Sequence, residues 1–411
     1  MATQMLSRPA RSAWWLTLLL TLFVIINYVD RGAIGIAAPK LRQDLGLDHK
    51  QFGLAVSAFA WIYAPAQFFI GWLSTRVCVY RLIATGLALW ALATFATGFV
   101  TGLAALVACR VLLGIGEGVA FPCASKIIAA HVPADRRGLA NGVMSTALGI
   151  GPALGIFAGG LILASHGWRP IFWIFGALTL LWLAPWLMAS KPHWTTRERV
   201  KAEVPLSAVT RYWAPWAQGI AHFCTTYGFF FLLAWLPLYL IESRGFTILE
   251  MASITTSFYL LQAASGLFWG WLSDIMVKQG HDEGKVRRLL MVVFMLSTAA
   301  STLAIGLAPD RATLIAALMI FGIFGGIGAF NAYAIAQLCA GKAAGAWVGV
   351  LNGVGNISGI VGPILTGMII EAAGGNYLGA FYLATAIALF GALWWIFAVP
   401  RIEPVPALVS D

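Results

Sequence analysis

The chain has 411 residues, of which 60% are hydrophobic and only 10% are charged. Soluble domains carry roughly 25% charged residues, so this composition excludes a soluble globular protein and indicates a polytopic membrane protein. The net charge of +10 indicates an anionic partner, and the positions of the basic residues along the chain decide which kind.

Continuous apolar runs predict the secondary structure. A helix that spans a bilayer needs about 20 mostly apolar residues, whereas the strands of a membrane barrel are short segments of alternating hydrophobicity. The runs here are long and unbroken, so we predict an all-α polytopic membrane protein with twelve transmembrane helices. In chain order the predicted spans cover residues 13–36, 52–73, 80–100, 103–129, 140–164, 170–190, 216–240, 250–272, 289–308, 311–338, 346–371 and 377–399.

Basic residues are distributed unequally between the two sides of the membrane. With the N-terminus in the cytoplasm, 18 lysines and arginines fall on the cytoplasmic side and 6 on the other, while Arg31 and Arg110 lie inside spans. This bias follows the positive-inside rule. We therefore expect a multi-pass protein of the inner (plasma) membrane with both termini cytoplasmic, whose partner is the lipid bilayer and not nucleic acid.

A polar stretch between the sixth and seventh spans divides the chain. It predicts an N-terminal six-helix bundle at 1–190, a cytoplasmic central loop at 191–214 and a C-terminal six-helix bundle at 215–411. Short sequences recur in both halves: GWLST at 71–75 returns as GWLSD at 270–274, which is 199 residues later. A second sequence, Asn-Gly-Val followed by a Gly-Pro pair, also occurs in the fifth and eleventh spans, 211 residues apart. Offsets of similar size indicate two homologous halves.

Two spans carry ionisable residues at membrane depth. Such a residue costs at least about 2.5–3.5 kcal/mol at the centre of a spanning helix. In the first span, Asn27, Asp30 and Arg31 follow the i, i+3, i+4 spacing of one helical face. In the fourth span, Arg110 and Glu117 are seven residues apart, about 10.5 Å along the axis. We interpret the four charges as the lining of one water-accessible cavity that binds an anionic solute and a proton.

The chemistry of these residue types suits that interpretation. Because the first span runs outward and the fourth inward, Arg31 and Arg110 should lie at a similar depth. A guanidinium stays charged and grips a carboxylate with two parallel hydrogen bonds. A carboxyl group in a pocket of low dielectric constant binds its proton more tightly, and a nearby arginine opposes this. The alternative is a structural ion-pair network of Asp30 with Arg110 and Glu117 with Arg31.

Twelve spans, a long central loop and the repeated GWLST/GWLSD sequence resemble the major facilitator superfamily along essentially the whole chain. The superfamily signature after helix 2 is roughly G-x-x-x-D-R-x-G-R/K. Here Thr75 and Cys78 replace its aspartate and glycine, and the second copy keeps Asp274 but has Ile275 in place of the arginine. The resemblance implies two pseudo-symmetric six-helix bundles with a central cavity lined by helices 1 and 4.

The sequence Tyr28-Val29-Asp30-Arg31, together with Arg110 and Glu117, resembles the anion:cation symporter family, which includes bacterial galactonate, glucarate and hexuronate importers. This resemblance implies symport of an organic anion with a proton by alternating access, the anion being a sugar acid such as an aldonate, aldarate or hexuronate. It implies that Asp30 and Glu117 carry the proton and that Arg31 and Arg110 bind the substrate carboxylate. It also implies that the hydroxyl groups of Tyr28 and Tyr63 contact the substrate. Where some members carry a polar residue in helix 5, this chain has Leu148.

Amide side chains complete the predicted site, because a group that both donates and accepts hydrogen bonds suits a hydroxylated carbon chain. We predict Asn27, Asn331, Asn352 and Asn356 as further substrate-binding residues, with His222 and Gln262 as possible additions. The alternatives are helix–helix hydrogen bonding for the asparagines and packing for His222. Tyr333 is interpreted as a packing residue.

Enzyme chemistry is not indicated. The chain has no phosphate-binding loop, no HExxH and no GxSxG, and its five cysteines lie singly without metal-ligand spacing. We therefore expect no cofactor, no metal and a monomer driven by an ion gradient, with sodium as an alternative to the proton. Two other functions remain open, a proton-coupled drug exporter and a transporter-like membrane sensor.

Overall fold

The computed structural model describes residues 8–74, 76–132, 137–191 and 206–409, and all regular secondary structure within them is helical. The first half contains α1 (Arg8–Leu45), α2 (His49–Leu73), α3 (Val79–Thr97), α4 (Leu103–Glu117), α5 (Ala120–His131), α6 (Arg137–His166) and α7 (Arg169–Ser190). The second half contains α8 (Leu206–Thr210), α9 (Trp213–Glu242), α10 (Ile248–Lys278), α11 (Glu283–Leu307), α12 (Arg311–Ala340), a 3₁₀ turn (Gly341–Ala343), α13 (Ala344–Gly355), α14 (Ile357–Ala372), α15 (Leu378–Phe397) and α16 (Pro406–Val409).

Ten of the twelve predicted spans are confirmed as helices or helix pairs in the described residues that are long and apolar enough to cross a membrane. The other two correspond to α2 and α10, which are 25 and 31 residues long. Two spans are each built from two consecutive helices, α4 with α5 and α13 with α14. The predicted domain boundaries at 190 and 215 stay predictions, because residues 192–205 of the central loop lie outside the described residues.

Several helices extend beyond the apolar runs that predicted them. The first predicted span ends at residue 36, whereas α1 continues to Leu45. The GWLSD sequence was expected to follow the eighth span, but it lies inside α10, which ends at Lys278. Hydropathy marks where the bilayer ends, whereas a helix continues into water for as long as its backbone hydrogen bonds are favourable.

Polar caps fix where helices begin at one membrane surface. Thr247 and Glu250 form a capping box at the start of α10, in which the Glu250 carboxylate accepts a hydrogen bond from the Thr247 backbone N–H at 2.8 Å. At the start of α12, Asp310 accepts from the Thr313 backbone N–H at 2.8 Å, and this bond holds the pKa of the Asp310 carboxyl below its usual range. These caps satisfy N–H groups that a first helical turn leaves free.

The two halves meet closely near one membrane surface. We call the face where α1 begins and α15 ends the terminal face, and the face that carries the α1–α2, α9–α10 and α14–α15 turns the distal face. Across the halves, α1 packs on α9, α2 on α14 and α6 on α10. Gly35 lies against the Leu233 carbonyl group and Gly53 against the Pro363 carbonyl group, so close that a Cβ at either glycine would overlap the oxygen. The halves are therefore closed together on the distal side.

Replacing Gly53 by alanine should open the distal face. The added Cβ would overlap the Pro363 carbonyl oxygen, and overpacking of this kind costs about 1–3 kcal/mol, which shifts the closed-to-open ratio roughly tenfold or more. Spin labels on exposed Gln43 and Ala373, in a cysteine-free background, should report longer distances across the seam.

The matched control is Gly345→Ala, because nothing lies within 4 Å of a Cβ at that glycine. Identical distance distributions for the Gly53 and Gly345 variants would show that the Gly53 contact does not limit closure.

Candidate functional site

A cavity of about 540 Å³ lies between the halves. Its wall is formed by α1, α2, α5 and α6 of the first half and by α9 to α13 of the second. From Arg31 and Tyr63 at mid-depth it extends to Trp271 and Gln337, which lie in the parts of α10 and α12 that approach the terminal face. The distal side is closed, so the cavity faces the terminal side.

Arg31 supplies the charge of the cavity. Within the part of the chain that the structure describes, it is the one arginine, lysine or carboxylate on the cavity wall. Its Nε donates to Glu117 Oε2 at 2.8 Å, and Nη2 has no hydrogen-bond partner among the described residues. The guanidinium carbon lies 4.8 Å from the ring centroid of Tyr28 and 4.5 Å from that of Tyr63. One edge of a buried cation is thus held by an acid while another remains available for a ligand.

Arg110 and Glu117 lie behind this wall rather than on it. Both are buried, and neither lines the cavity in this conformation, contrary to the expectation of a shared lining. The guanidinium carbons of Arg31 and Arg110 lie 5.0 and 5.2 Å from the same ring, that of Phe59, so the two cations lie near each other. Asn27 is also fully buried and lies beside Glu117.

Asp30 faces away from the cavity, towards α3 and α7. Its Oδ2 accepts hydrogen bonds from the Trp90 indole, from Thr94 at 3.4 Å and from Thr179 at 3.3 Å. The pairing of Asp30 with Arg110, one half of the alternative ion-pair network, is not formed. The reason is helical geometry, because adjacent residues such as Asp30 and Arg31 point about 100° apart around the axis. The prediction that they share one face was therefore wrong.

Several predicted residues of the second half do reach the cavity. Asn352, Asn356, His222 and Gln262 all lie on its wall. The Asn356 amide donates to the Asn352 carbonyl oxygen at 2.9 Å, at the junction of α13 and α14, so part of its hydrogen-bonding capacity is already used. Asn331 does not reach the cavity, since it is fully buried.

The amide of Asn331 instead binds a neighbouring helix. Its Nδ2 donates to the backbone oxygen of Arg287 at 2.8 Å, which joins α12 to α11. The predicted substrate contact is therefore not supported by the position of Asn331, and the helix–helix alternative describes it.

Tyr333 is a wall residue that the sequence did not reveal. It lies on the cavity wall in α12, across the space between the halves from Tyr63 and Arg31. An aromatic residue in an apolar helix gives no sequence signal that separates a cavity position from a packing position. Tyr333 places a second-half hydroxyl group opposite the first-half cation.

Aromatic residues also line the second-half wall of the cavity. They include Phe229, Phe230, Phe258, Phe294 and Phe321. Two hydroxyl groups on this wall, those of Tyr259 and Thr298, are buried and have no hydrogen-bond partner among the described residues. On the first-half side, Leu148 lines the cavity. The cavity therefore combines a cationic end with an aromatic wall that bears scattered polar groups.

Comparison with known proteins identifies the family. A sequence model of the Major Facilitator Superfamily matches residues 20–253 and 219–410, which together cover most of the chain. The chain is a member of the major facilitator superfamily.

Named relatives of this superfamily member are transporters of organic anions. The chain is 30% identical over 401 residues to the probable sulfoacetate transporter of Cupriavidus necator, covering 92% of both chains. It is 30% identical to the hexuronate transporter of Bacillus subtilis, covering 95% of this chain and 96% of the relative. It is 26% identical to the D-galactonate transporter of Escherichia coli, covering 97% and 98%. The predicted resemblance to sugar-acid importers is confirmed, and the protein is a transporter rather than an enzyme.

A solved structure supports the fold. A bacterial homolog of the human lysosomal transporter Spinster, in an inward-facing and occupied conformation, superimposes with a TM-score of 0.78, covering 95% of this chain and 97% of the other. Its sequence identity is 20%, so the likeness concerns the superfamily fold alone.

Proposed function

We propose that this transporter carries an organic anion together with a proton by alternating access, and that the anion is a sugar acid. The observation that carries the proposal is the ion pair of Arg31 with Glu117 at 2.8 Å, with Arg31 on the cavity wall and Glu117 buried behind it. One cation thereby stands between an acid and the space that the substrate enters.

This arrangement couples the two ligands through charge. When Glu117 is ionised, it neutralises Arg31, which then attracts an anion weakly. When Glu117 binds a proton, the Arg31 charge is released for a carboxylate, which the guanidinium grips with two hydrogen bonds. Each ligand therefore increases the affinity for the other, and this coupling is reciprocal.

The remaining predicted residues take supporting roles in the proposal. Arg110 adds positive potential behind Phe59, and the hydroxyl groups of Tyr28 and Tyr63 lie beside Arg31 for contacts with the substrate. Asp30 is a second candidate carrier of protons. Because Asp30 is hydrogen-bonded to α3 and α7 and not to Arg31, we assign direct coupling to Glu117.

Two features support a sugar acid. The relatives named above include transporters of hexuronate and D-galactonate. In addition, Asn352, Asn356 and Gln262 lie on the wall of the cavity and offer amides that suit a hydroxylated chain. His222 is a possible further contact.

The excess of lysine and arginine on one side supports a terminal face in the cytoplasm of the inner membrane. With this orientation the structure corresponds to the inward-facing state, and the transporter imports its anion. A drug exporter is disfavoured because the positive charges of Arg31 and Arg110 repel lipophilic cations.

Purified protein in proteoliposomes should accumulate labelled galactonate, glucarate or glucuronate when the outside is more acidic than the lumen. The proton gradient drives uptake because the anion and the proton bind together. A protonophore should collapse the accumulation, and a sodium gradient of equal size should not replace the pH gradient. A panel that adds sulfoacetate and benzoate tests the carboxylate class. Accumulation driven by sodium alone would contradict proton coupling.

Replacing Arg31 by lysine should weaken anion binding roughly 10- to 100-fold, because a charge-assisted hydrogen bond contributes about 1.5–3 kcal/mol and lysine cannot make the paired contact. Binding is measured by thermal shift or calorimetry with the best anion of the panel. The control is Arg169→Lys, since Arg169 pairs with Asp44 at 3.2 Å away from the cavity. Equal affinity in the Arg31 variant and the wild type would remove Arg31 from the anion site.

Replacing Glu117 by glutamine should uncouple transport. The amide keeps an oxygen that can accept from Arg31 but cannot gain or lose a proton, so counterflow exchange of the anion should persist while accumulation driven by the pH gradient is lost. Glu250→Gln is the matched control, because glutamine preserves the capping box at the start of α10. Full accumulation in the Glu117 variant would place the coupling acid elsewhere.

A further inference from the structure

A polar cluster joins the halves at the distal face, remote from the cavity. We call it the distal latch. The first half contributes Arg42 near the end of α1 and His49 at the start of α2, and the second half contributes Glu242, Glu371 and Tyr377 at the ends of α9, α14 and the turn before α15.

The contacts of the distal latch are short and cross between the halves. Arg42 Nη1 lies 2.7 Å from Glu242 Oε1. His49 Nε2 lies 3.3 Å from Glu242 Oε2, and His49 Nδ1 lies 2.9 Å from Glu371 Oε2. The His49 backbone N–H also donates to Glu371 at 3.1 Å, and the Tyr377 hydroxyl donates to Glu242 at 2.8 Å.

The arrangement around His49 specifies its charge. Both ring nitrogens face a carboxylate oxygen, and an ionised carboxylate only accepts hydrogen bonds. A neutral imidazole has one N–H group, so it can satisfy one of the two carboxylates, whereas the imidazolium satisfies both. The net charge gives the same answer: Arg42 and protonated His49 balance Glu242 and Glu371, while a neutral His49 leaves one excess negative charge between the halves.

Other groups around His49 oppose or moderate the preference for the protonated ring. The ring stacks on Trp235 of α9 at 6.4 Å and meets Tyr377 edge-on at 6.0 Å. On its own helix the neighbours are Lys50, which is exposed, and Asp48, which caps the Gln51 backbone N–H at 2.6 Å. The N-terminus of α2 and the Arg42 charge both disfavour an imidazolium. The two carboxylates in direct contact with the ring favour the imidazolium.

We propose that His49 is a second proton-binding site, separate from the cavity, whose protonation latches the two halves together at the distal face. Histidine is the side chain that changes charge between pH 5 and 8. Its side chain is 14% exposed and those of Glu242 and Glu371 are 33% and 46% exposed, so protons from the adjoining solution reach it.

Thermodynamic linkage between proton binding and closure gives the direction in which pH changes the closed population. Because the proton is held by contacts that exist only when the seam is closed, acid on the distal side favours the closed state, and opening releases the proton. The closed population rises as the pH falls through the histidine range. At still lower pH the glutamates become protonated and lose their negative charge, so the latch weakens. The latch is independent of which anion the cavity binds.

The test measures the distal seam without substrate or gradient. Spin labels at Gln43 and Ala373 report the closed fraction of the full-length protein in nanodiscs between pH 5.5 and 8.5. In the wild type we expect the closed-to-open ratio to rise roughly 3- to 10-fold from the alkaline to the acidic end, the size expected for partly exposed ion pairs. A ratio that does not change with pH would overturn the proposal.

Variants separate His49 from other groups that titrate. His49→Gln should open the seam and abolish the pH response, whereas His49→Lys carries a permanent charge and should keep the seam closed at every pH. Glu371→Gln, which removes the negative charge beside Nδ1, should reduce the response. The control is His166→Gln, a histidine whose Nδ1 contacts the Ser165 hydroxyl at 2.7 Å and no carboxylate.

Glu117→Gln distinguishes the latch from the cavity. It should keep the pH response of the seam although it uncouples transport, so the two proposals fail separately. A response that survives in His49→Gln and disappears in Glu117→Gln would place the titrating group in the cavity and contradict the latch.

Discussion

The structure depends on one buried ion pair, Arg31 with Glu117. Removing two charges from water carries a desolvation penalty of several kcal/mol per ion, and apolar replacements of such pairs are often neutral or stabilising. Stability alone therefore does not explain it. Arg31 lies on the cavity wall, its buried Nη2 has no hydrogen-bond partner among the described residues, and the rings of Tyr28 and Tyr63 lie against the guanidinium. A cation held by aromatic faces and by a single acid is prepared for a second anion.

The distal closure places this pair at the inner end of a one-sided cavity. Gly35 and Gly53 allow backbone to meet backbone between the halves, and the distal latch adds charge to that contact. Arg31 and Arg42 lie on the same helix, about 16 Å apart along its axis. Because α1 is a continuous helix through both positions, a movement that separates Arg42 from Glu242 also displaces Arg31 relative to the second half. Cavity and latch are thus linked through one continuous helix.

The sequence was most informative about the segments that lie in the hydrocarbon region of the bilayer. Backbone groups in hydrocarbon must be hydrogen-bonded internally, so apolar length alone predicted twelve helices, and opposite helix directions predicted that Arg31 and Arg110 lie near each other, as they do on the ring of Phe59. The direction in which a side chain points around the helix axis was harder to predict. Asp30 follows the i, i+3 spacing from Asn27 but is adjacent to Arg31, and that single step turns it towards Trp90 and away from the cavity.

The contacts of uncharged polar residues, and those of charged residues at helix ends, could not be predicted from the sequence for a different reason. Asn331 and Asn352 have the same side chain in similar apolar helices. Asn331 binds a backbone oxygen of a neighbouring helix, whereas Asn352 lines the cavity, and the difference depends on what each side chain meets in the folded protein. The latch joins Arg42 to Glu242 and His49 to Glu371, pairs that are 200 and 322 residues apart. A charge at membrane depth stands out against its apolar surroundings, whereas a charge at a helix end is expected there in any membrane protein. The sequence therefore predicts a buried cation such as Arg31 more readily than the ion pairs of the distal latch.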